Sequence, residues 1–138
     1  MTIKDANKYN ILVVDDYPPV RRMVKEIIKT SPDLQVIGEF NDGQELLKFL
    51  KKSQTHMILL DISMPNLGGF EATLKVKQDH PDVKVLILTI HKYKEYAERA
   101  MSLGAEGYLL KEDVGDELLP AISSLRQGGT FISAGLAV

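Results

Sequence analysis

Cysteine and tryptophan are both missing from this 138-residue chain, and histidine occurs only three times. Without cysteine there is neither a disulfide framework nor a thiolate zinc site, a pattern that fits a reducing compartment. His56, His80 and His91 stand far apart with no ligand spacing, so none of them is assigned a role. No apolar run approaches the ~18 residues that span a bilayer, and the opening MTIKDANKYN lacks the apolar stretch of a signal peptide. The expectation is a cytoplasmic protein with no membrane contact. Basic residues are not clustered either. With a net charge of −2 and a pI near 5.9, the chain has no cationic stripe of the kind that grips a phosphate backbone, so these residues alone are not expected to bind nucleic acid.

What is present is the make-up of a folded domain. Apolar residues account for 44% and charged ones for 26%, far from the composition of disordered chains. A chain of this length buries roughly 68 to 70% of its unfolded surface, enough for a core without staples. Five short aliphatic runs, NILVV (10–14), LQVIGEF (34–40), HMILL (56–60), VKVLIL (83–88) and GYLL (107–110), read as buried strands.

Helical periods fill the gaps. Val20, Met23, Val24, Ile27 and Ile28 form one stripe, started by Pro18 and Pro19 and stopped before Pro32. Leu46, Leu47 and Leu50 form a second behind an Asn or Asp cap, and Tyr96, Ala97, Ala100 and Met101 a third that Gly104 ends. Lys94 with Glu98 and Glu95 with Arg99 fall at i, i+4 on the wet side of that helix. Leu118, Ile122 and Leu125 face inward in the last helix, where Pro120 predicts an irregular first turn or a kink. One segment argues the other way: Phe70, Ala72, Leu74 and Val76 alternate with polar residues as in a half-buried strand. Parallel strands on either side require a long crossover, so a helix is expected here too.

Five strands alternating with five helices predict an α/β fold: a flavodoxin-like, doubly wound (βα)5 domain with a five-stranded parallel sheet in the order 2-1-3-4-5 and helices on both faces. The expected organisation is an N-terminal extension at 1–8, the domain at 9–129, and a C-terminal tail at 130–138. In such a sheet every strand ends on the same edge, and ligands bind there near the switch point between strands 1 and 3. Strand 1 runs into Asp15 and Asp16, strand 3 into Asp61, strand 4 into Thr89 and strand 5 into Lys111.

Three converging carboxylates repel one another unless a cation joins them. Oxygen ligands without histidine or cysteine suit a hard ion such as Mg²⁺. Asp61 then reads as a carboxylate nucleophile, Lys111 as an ammonium for a phosphoryl oxygen and Thr89 as a hydroxyl that bonds another. In the following loop, DISMPNLGG, Pro65 fixes one dihedral and Gly68 and Gly69 permit φ > 0, so that backbone carbonyls, Ser63 foremost, face the metal. Met64 reads as a packing residue.

With Asp15 and Asp16, the DISMPNLGG segment headed by Asp61, Thr89, and YLLK ending at Lys111, the sequence resembles a response-regulator receiver domain from Tyr9 to about Ser133. The resemblance implies that Asp61 is phosphorylated by a sensor histidine kinase and that Mg²⁺ is held by Asp16 directly and by Asp15 through water. It also implies that Thr89 and Tyr108 form the switch. Tyr108 reads equally well as an aromatic that closes the core. NDGQELL, VLILTIHKYKEY and the ending QGGTFISAGLAV resemble the NarL/LuxR branch, whose receivers lead into helix-turn-helix DNA-binding domains. DNA contact would then belong to an output domain outside this chain, with homodimerisation on activation. Such a protein is not an enzyme beyond its own phosphorylation and dephosphorylation.

Two features depart from the commoner receiver pattern. Ile90 is bulky where many receivers have alanine, and is expected to narrow access to the site; Glu112 stands where many have proline after the lysine. Three rival readings remain. A stand-alone receiver would act by docking to other proteins, and a receiver-shaped module would never be phosphorylated, although all five site residues are present. A Mg²⁺-dependent aspartyl-phosphate phosphohydrolase of the haloacid-dehalogenase pattern needs Asp-x-Asp, yet residue 17 is Tyr and residue 63 is Ser.

Overall fold

The computed structural model describes residues 7–136. Most of the expected N-terminal extension and the last two tail residues lie outside the described residues. The chain runs β1 (Tyr9–Val14), α1 (Pro18–Ile28), β2 (Leu34–Phe40), α2 (Gly43–Leu50), β3 (Met57–Leu60), α3 (Gly69–Asp79), β4 (Lys84–Thr89), α4 (Lys94–Ser102), β5 (Gly107–Leu110), a 3-10 turn (Lys111–Asp113), α5 (Val114–Arg126) and β6 (Phe131–Ile132).

The sheet is parallel throughout, in the order β2-β1-β3-β4-β5-β6. The first five strands follow the expected order; the correction is a sixth strand. Phe131 and Ile132 pair with Gly107 and Tyr108, so part of the expected tail belongs to the sheet. Two residues are too few to show a strand period, and it is the open edge of β5 that recruits them.

The inner strands β1, β3, β4 and β5 are buried on both faces because alternate residues feed two cores, whereas β2 and β6 at the edges are only partly covered. Leu12, Val14, Ile58, Leu60, Val85 and Ile87 pack under α2, α3 and α4. Ile11, Val13, Met57, Leu59, Leu86 and Leu88 pack under α1 and α5. The helix stripes turn inward largely as their periods predict, with two corrections. Met23 is exposed although it lies in the α1 stripe, and Tyr96 is 36% exposed at the rim of α4, where its ring meets Phe70 edge-on at 6.0 Å. Arg99 lies over the Phe70 ring at 4.3 Å from its centre, packed on an aromatic face.

The 69–79 segment is helical, as the crossover requires. Its register buries Ala72, Thr73 and Val76, half-buries Phe70 and leaves Leu74 exposed, so the apparent alternation was two positions of the inner helical face mixed with one flanking and one outer residue. Pro120 sits inside α5, which continues through it; the irregularity falls earlier, in the 3-10 turn that opens this helix. Gly104 ends α4 with φ +108, a conformation that favours glycine.

Candidate functional site

β1 and β3 are adjacent in the sheet, and their ends bring Asp15 and Asp61 to one crevice. Asp15 is 1% exposed and Asp61 6%, while Asp16 is exposed at the rim. Carboxylate oxygens of all three lie within 4.8 Å of one another. Lys111, at the end of β5, reaches across β4's position in the sheet, its Nζ 2.7 Å from Asp15 Oδ2 and 3.6 Å from Asp61 Oδ2. Burial, reinforced by the charge of Asp15, pushes the Asp61 carboxyl up to about 6 in spite of the nearby Lys111 ammonium.

Local structure explains how the acids are aimed. Asp15 Oδ1 accepts from the Tyr17 amide at 2.9 Å, turning the chain into α1, and the Asp15 carbonyl accepts from the Arg21 guanidinium. Arg21 is itself held by Asn41 at 2.9 Å and Glu39 at 3.3 Å. Behind Asp61 the backbone of α3 comes so close that a Cβ on Gly69 would sit 2.2 Å from the Asp61 carbonyl oxygen; only glycine fits. The turn geometry differs from the sequence expectation. The left-handed residue of the loop is Asn66, with φ 64, and Gly68 has an ordinary φ of −77. Asparagine is among the non-glycine residues that tolerate this region best, and here its amide is also anchored across the fold, donating to Asp42 Oδ2 at 2.6 Å. Asp42 also caps α2 through the Glu45 amide, and that bond, with Asn66, holds its carboxyl below the usual range.

Thr89 is buried at the end of β4, and its Oγ1 accepts from the His91 amide at 3.1 Å. Tyr108 is fully buried on the neighbouring strand, and its hydroxyl donates to the His91 carbonyl at 2.8 Å. Burial pushes the Tyr108 phenol up to about 12, the Thr89 hydroxyl offsetting part of the effect. Ser63 places its Oγ 3.2 Å from His91 Nε2. His91 therefore ties the β3–α3 loop, Thr89 and Tyr108 together, a role that no spacing in the sequence announces. Ile90 is 70% exposed. Glu112, at the position where many receivers have proline, pairs with Lys92 at 2.7 Å on the surface.

A divalent cation fits the acidic cluster. Asp15 Oδ2 is buried and receives no directed hydrogen bond, Lys111 approaching it only as an ion pair, so it retains capacity to bond a cation or a water bound to one. An all-oxygen donor set suits a hard ion such as Mg²⁺.

The family model for the response regulator receiver domain matches residues 11–123. The chain belongs to that family. The receiver is 40% identical over 128 residues to the transcriptional regulatory protein DegU of Brevibacillus brevis, a match covering 93% of this chain and 54% of DegU. It thus spans about half the length of the curated relatives it matches. Among solved structures, a two-component response regulator of the LuxR family from Aurantimonas sp. SI85-9A1 superposes with a TM-score of 0.89 at 29% identity, covering 94% of this chain and 92% of that one. The isolated REC domain of RcsB from Salmonella enterica serovar Typhimurium, with the phosphomimetic BeF3−, gives 0.88 at 26%, covering 94% and 96%. These relatives put the receiver in the NarL/LuxR branch, among regulators rather than enzymes. No helix among the described residues is long and apolar enough to cross a membrane.

Proposed function

We propose that this receiver is a phosphoacceptor whose Asp61 takes a phosphoryl group from a phosphohistidine of a sensor histidine kinase. An Asp61 carboxylate oxygen attacks phosphorus, the P–N bond breaks, and the imidazole leaves with its electron pair. Asp16 and Asp61, the Ser63 carbonyl, and Asp15 through water would hold Mg²⁺, which when bound supplies charge neutralisation at the phosphoryl oxygens. Lys111 moves its ammonium from Asp15 toward the new phosphoryl group, and Thr89 offers its hydroxyl to a second oxygen. The observation that carries this reading is the convergence of three carboxylates within 4.8 Å beside a lysine 2.7 Å from one of them.

The phosphoryl group shifts an equilibrium only if it binds one arrangement better than the other. Tyr108 and Thr89 both bond the His91 main chain, so displacement of Thr89 is felt by the β4–α4 loop and by the switch tyrosine. Residues 9–129 act as the receiver, with 1–8 as an extension and 130–138, whose Phe131 and Ile132 pair with β5, leading toward a helix-turn-helix output that binds DNA in the cytoplasm, the activated receivers pairing as homodimers. The name of the DegU relative, a transcriptional regulatory protein, supports this output.

Acetyl phosphate with Mg²⁺ tests the assignment. Wild type gains one phosphoryl group by intact-protein mass spectrometry and Asp61→Asn gains none; equal labelling of both would refute it.

A further inference from the structure

The short segment that carries Lys111 is gripped before and after the lysine, and both grips pass through one hydroxyl. Ser133 follows β6 and is buried, its amide donating to the Tyr108 carbonyl at 2.9 Å. Its Oγ accepts from the Leu110 amide at 3.3 Å and stands 2.7 Å from Asp113 Oδ2 and 2.7 Å from Glu117 Oε1. Leu110 immediately precedes Lys111, and Asp113 closes the 3-10 turn that Lys111 opens.

A serine hydroxyl has one hydrogen and donates to one of these two carboxylates at a time. Bonded to Asp113, Ser133 fastens the chain after β6 to the turn that carries Lys111. Bonded to Glu117, it fastens the same chain to α5 and loosens its hold on that turn. Two acceptors at equal distance give the hydroxyl two alternative partners, and a choice between partners is the kind of device through which one site biases another.

We propose that Ser133 is a positioning residue for Lys111 and couples the acidic pocket to the 131–136 segment. This inference rests on the reading of Lys111 as the cation that meets the phosphoryl group. When Lys111 leaves Asp15 for a phosphoryl oxygen, the Leu110–Asp113 turn shifts with it, and Ser133 exchanges one carboxylate for the other. The 131–136 segment walls a groove of about 640 Å³ against α4, through Ile132 and Leu136 facing Ala97 and Met101, so the exchange also reshapes that groove. Coupling of binding equilibria is reciprocal: a change in the Ser133 grip alters how tightly the pocket holds a phosphoryl mimic.

The test uses the 138-residue chain with Mg²⁺ alone and with Mg²⁺ plus beryllofluoride, followed by calorimetry and amide hydrogen exchange. Ser133→Ala is expected to keep the affinity for Mg²⁺, which the acids set, and to bind beryllofluoride more weakly by on the order of fivefold. Asp113→Ala leaves Ser133 and the β5–β6 pairing in place and is expected to weaken beryllofluoride binding in the same way, so the proposal remains testable should Ser133→Ala not fold. At saturation, beryllofluoride changes exchange at residues 131–136 in wild type and leaves them unchanged in Ser133→Ala. Unaltered beryllofluoride affinity in the variants, or an equal exchange response in wild type and Ser133→Ala, overturns this inference alone. Absence of beryllofluoride binding and of Asp61 labelling in wild type overturns the phosphoacceptor reading, and this inference with it.

Discussion

Lys111 sits against Asp15 rather than Asp61: its ammonium is 2.7 Å from the first carboxylate and 3.6 Å from the second. The lysine therefore balances a buried acid while remaining within a small movement of Asp61, the proposed acceptor. Replacing Lys111 by Met leaves Asp15 buried without its partner, an arrangement whose cost is typically several kcal/mol. Partial access of the lysine to solvent reduces this, and a loss of about 1–3 kcal/mol at neutral pH is expected. Urea unfolding with and without Mg²⁺ checks it; the deficit should narrow when Mg²⁺ is added, and a deficit indifferent to the ion would count against the pairing.

Asp61 makes the opposite contribution to stability. Its carboxyl is raised from 3.8 to about 6, so between those pH values the unfolded chain ionises while the folded one holds its proton, and stability falls as pH rises through that window. Asp61→Asn lacks this loss. In EDTA the variant should unfold like wild type near pH 4 and be more stable by about 1–3 kcal/mol at pH 7. Thermal melts at the two pH values decide it, and a gain that is present equally at pH 4 would contradict the electrostatic cause.

Gly69→Ala tests the support behind Asp61, the proposed acceptor. The added methyl would meet the Asp61 carbonyl oxygen at 2.2 Å and the Ile62 Cα at 2.7 Å, both backbone atoms that cannot swing aside. A destabilisation of about 1–3 kcal/mol is expected, as for overpacked sites, together with slower acetyl phosphate labelling. Wild-type stability and labelling would show that the loop yields more easily than its packing suggests.

Tyr108→Phe removes the donor to the His91 carbonyl while leaving the ring in place. The expected cost is about 0.5–1.5 kcal/mol, with faster amide exchange confined to residues 90–93. Exchange that rises instead across the whole of β5 would point to a packing role for the hydroxyl's surroundings.

His56 offers a control far from the pocket. Its Nδ1 accepts from the Asn10 amide at 2.8 Å, and its ring stacks on Tyr9 at 4.9 Å, just before β3 begins and so at the sheet edge opposite Asp61. His56→Ala leaves that amide without its acceptor, at a cost of about 1–3 kcal/mol, yet Asp61 should label at the wild-type rate. Altered labelling at temperatures where the variant is folded would show that the two edges communicate.

The legible parts of this protein were those governed by neighbours in the chain. Runs such as NILVV and MILL announce strands buried on both faces, and the Val20, Val24 and Ile28 spacing announces α1, because burial period follows directly from backbone geometry. The pocket was partly legible for a related reason: in a parallel sheet, residues just past each strand end share one edge, so Asp15, Asp61 and Lys111 meet although they are distant in sequence.

Pattern together with the crossover requirement determined the alternation of five strands with five helices, though not β6, and pattern gave the identity of the polar residues at the rim. Tertiary structure decided which of those residues touch. Lys111 against Asp15, Asn66 rather than a glycine in the left-handed turn, His91 between Ser63 and Tyr108, and Ser133 between Asp113 and Glu117 all depend on loops that crossovers bring side by side. The physical reason is one of range: periodicity reports the local backbone, whereas a hydrogen bond or ion pair is settled within a few ångströms by packing that no single segment contains.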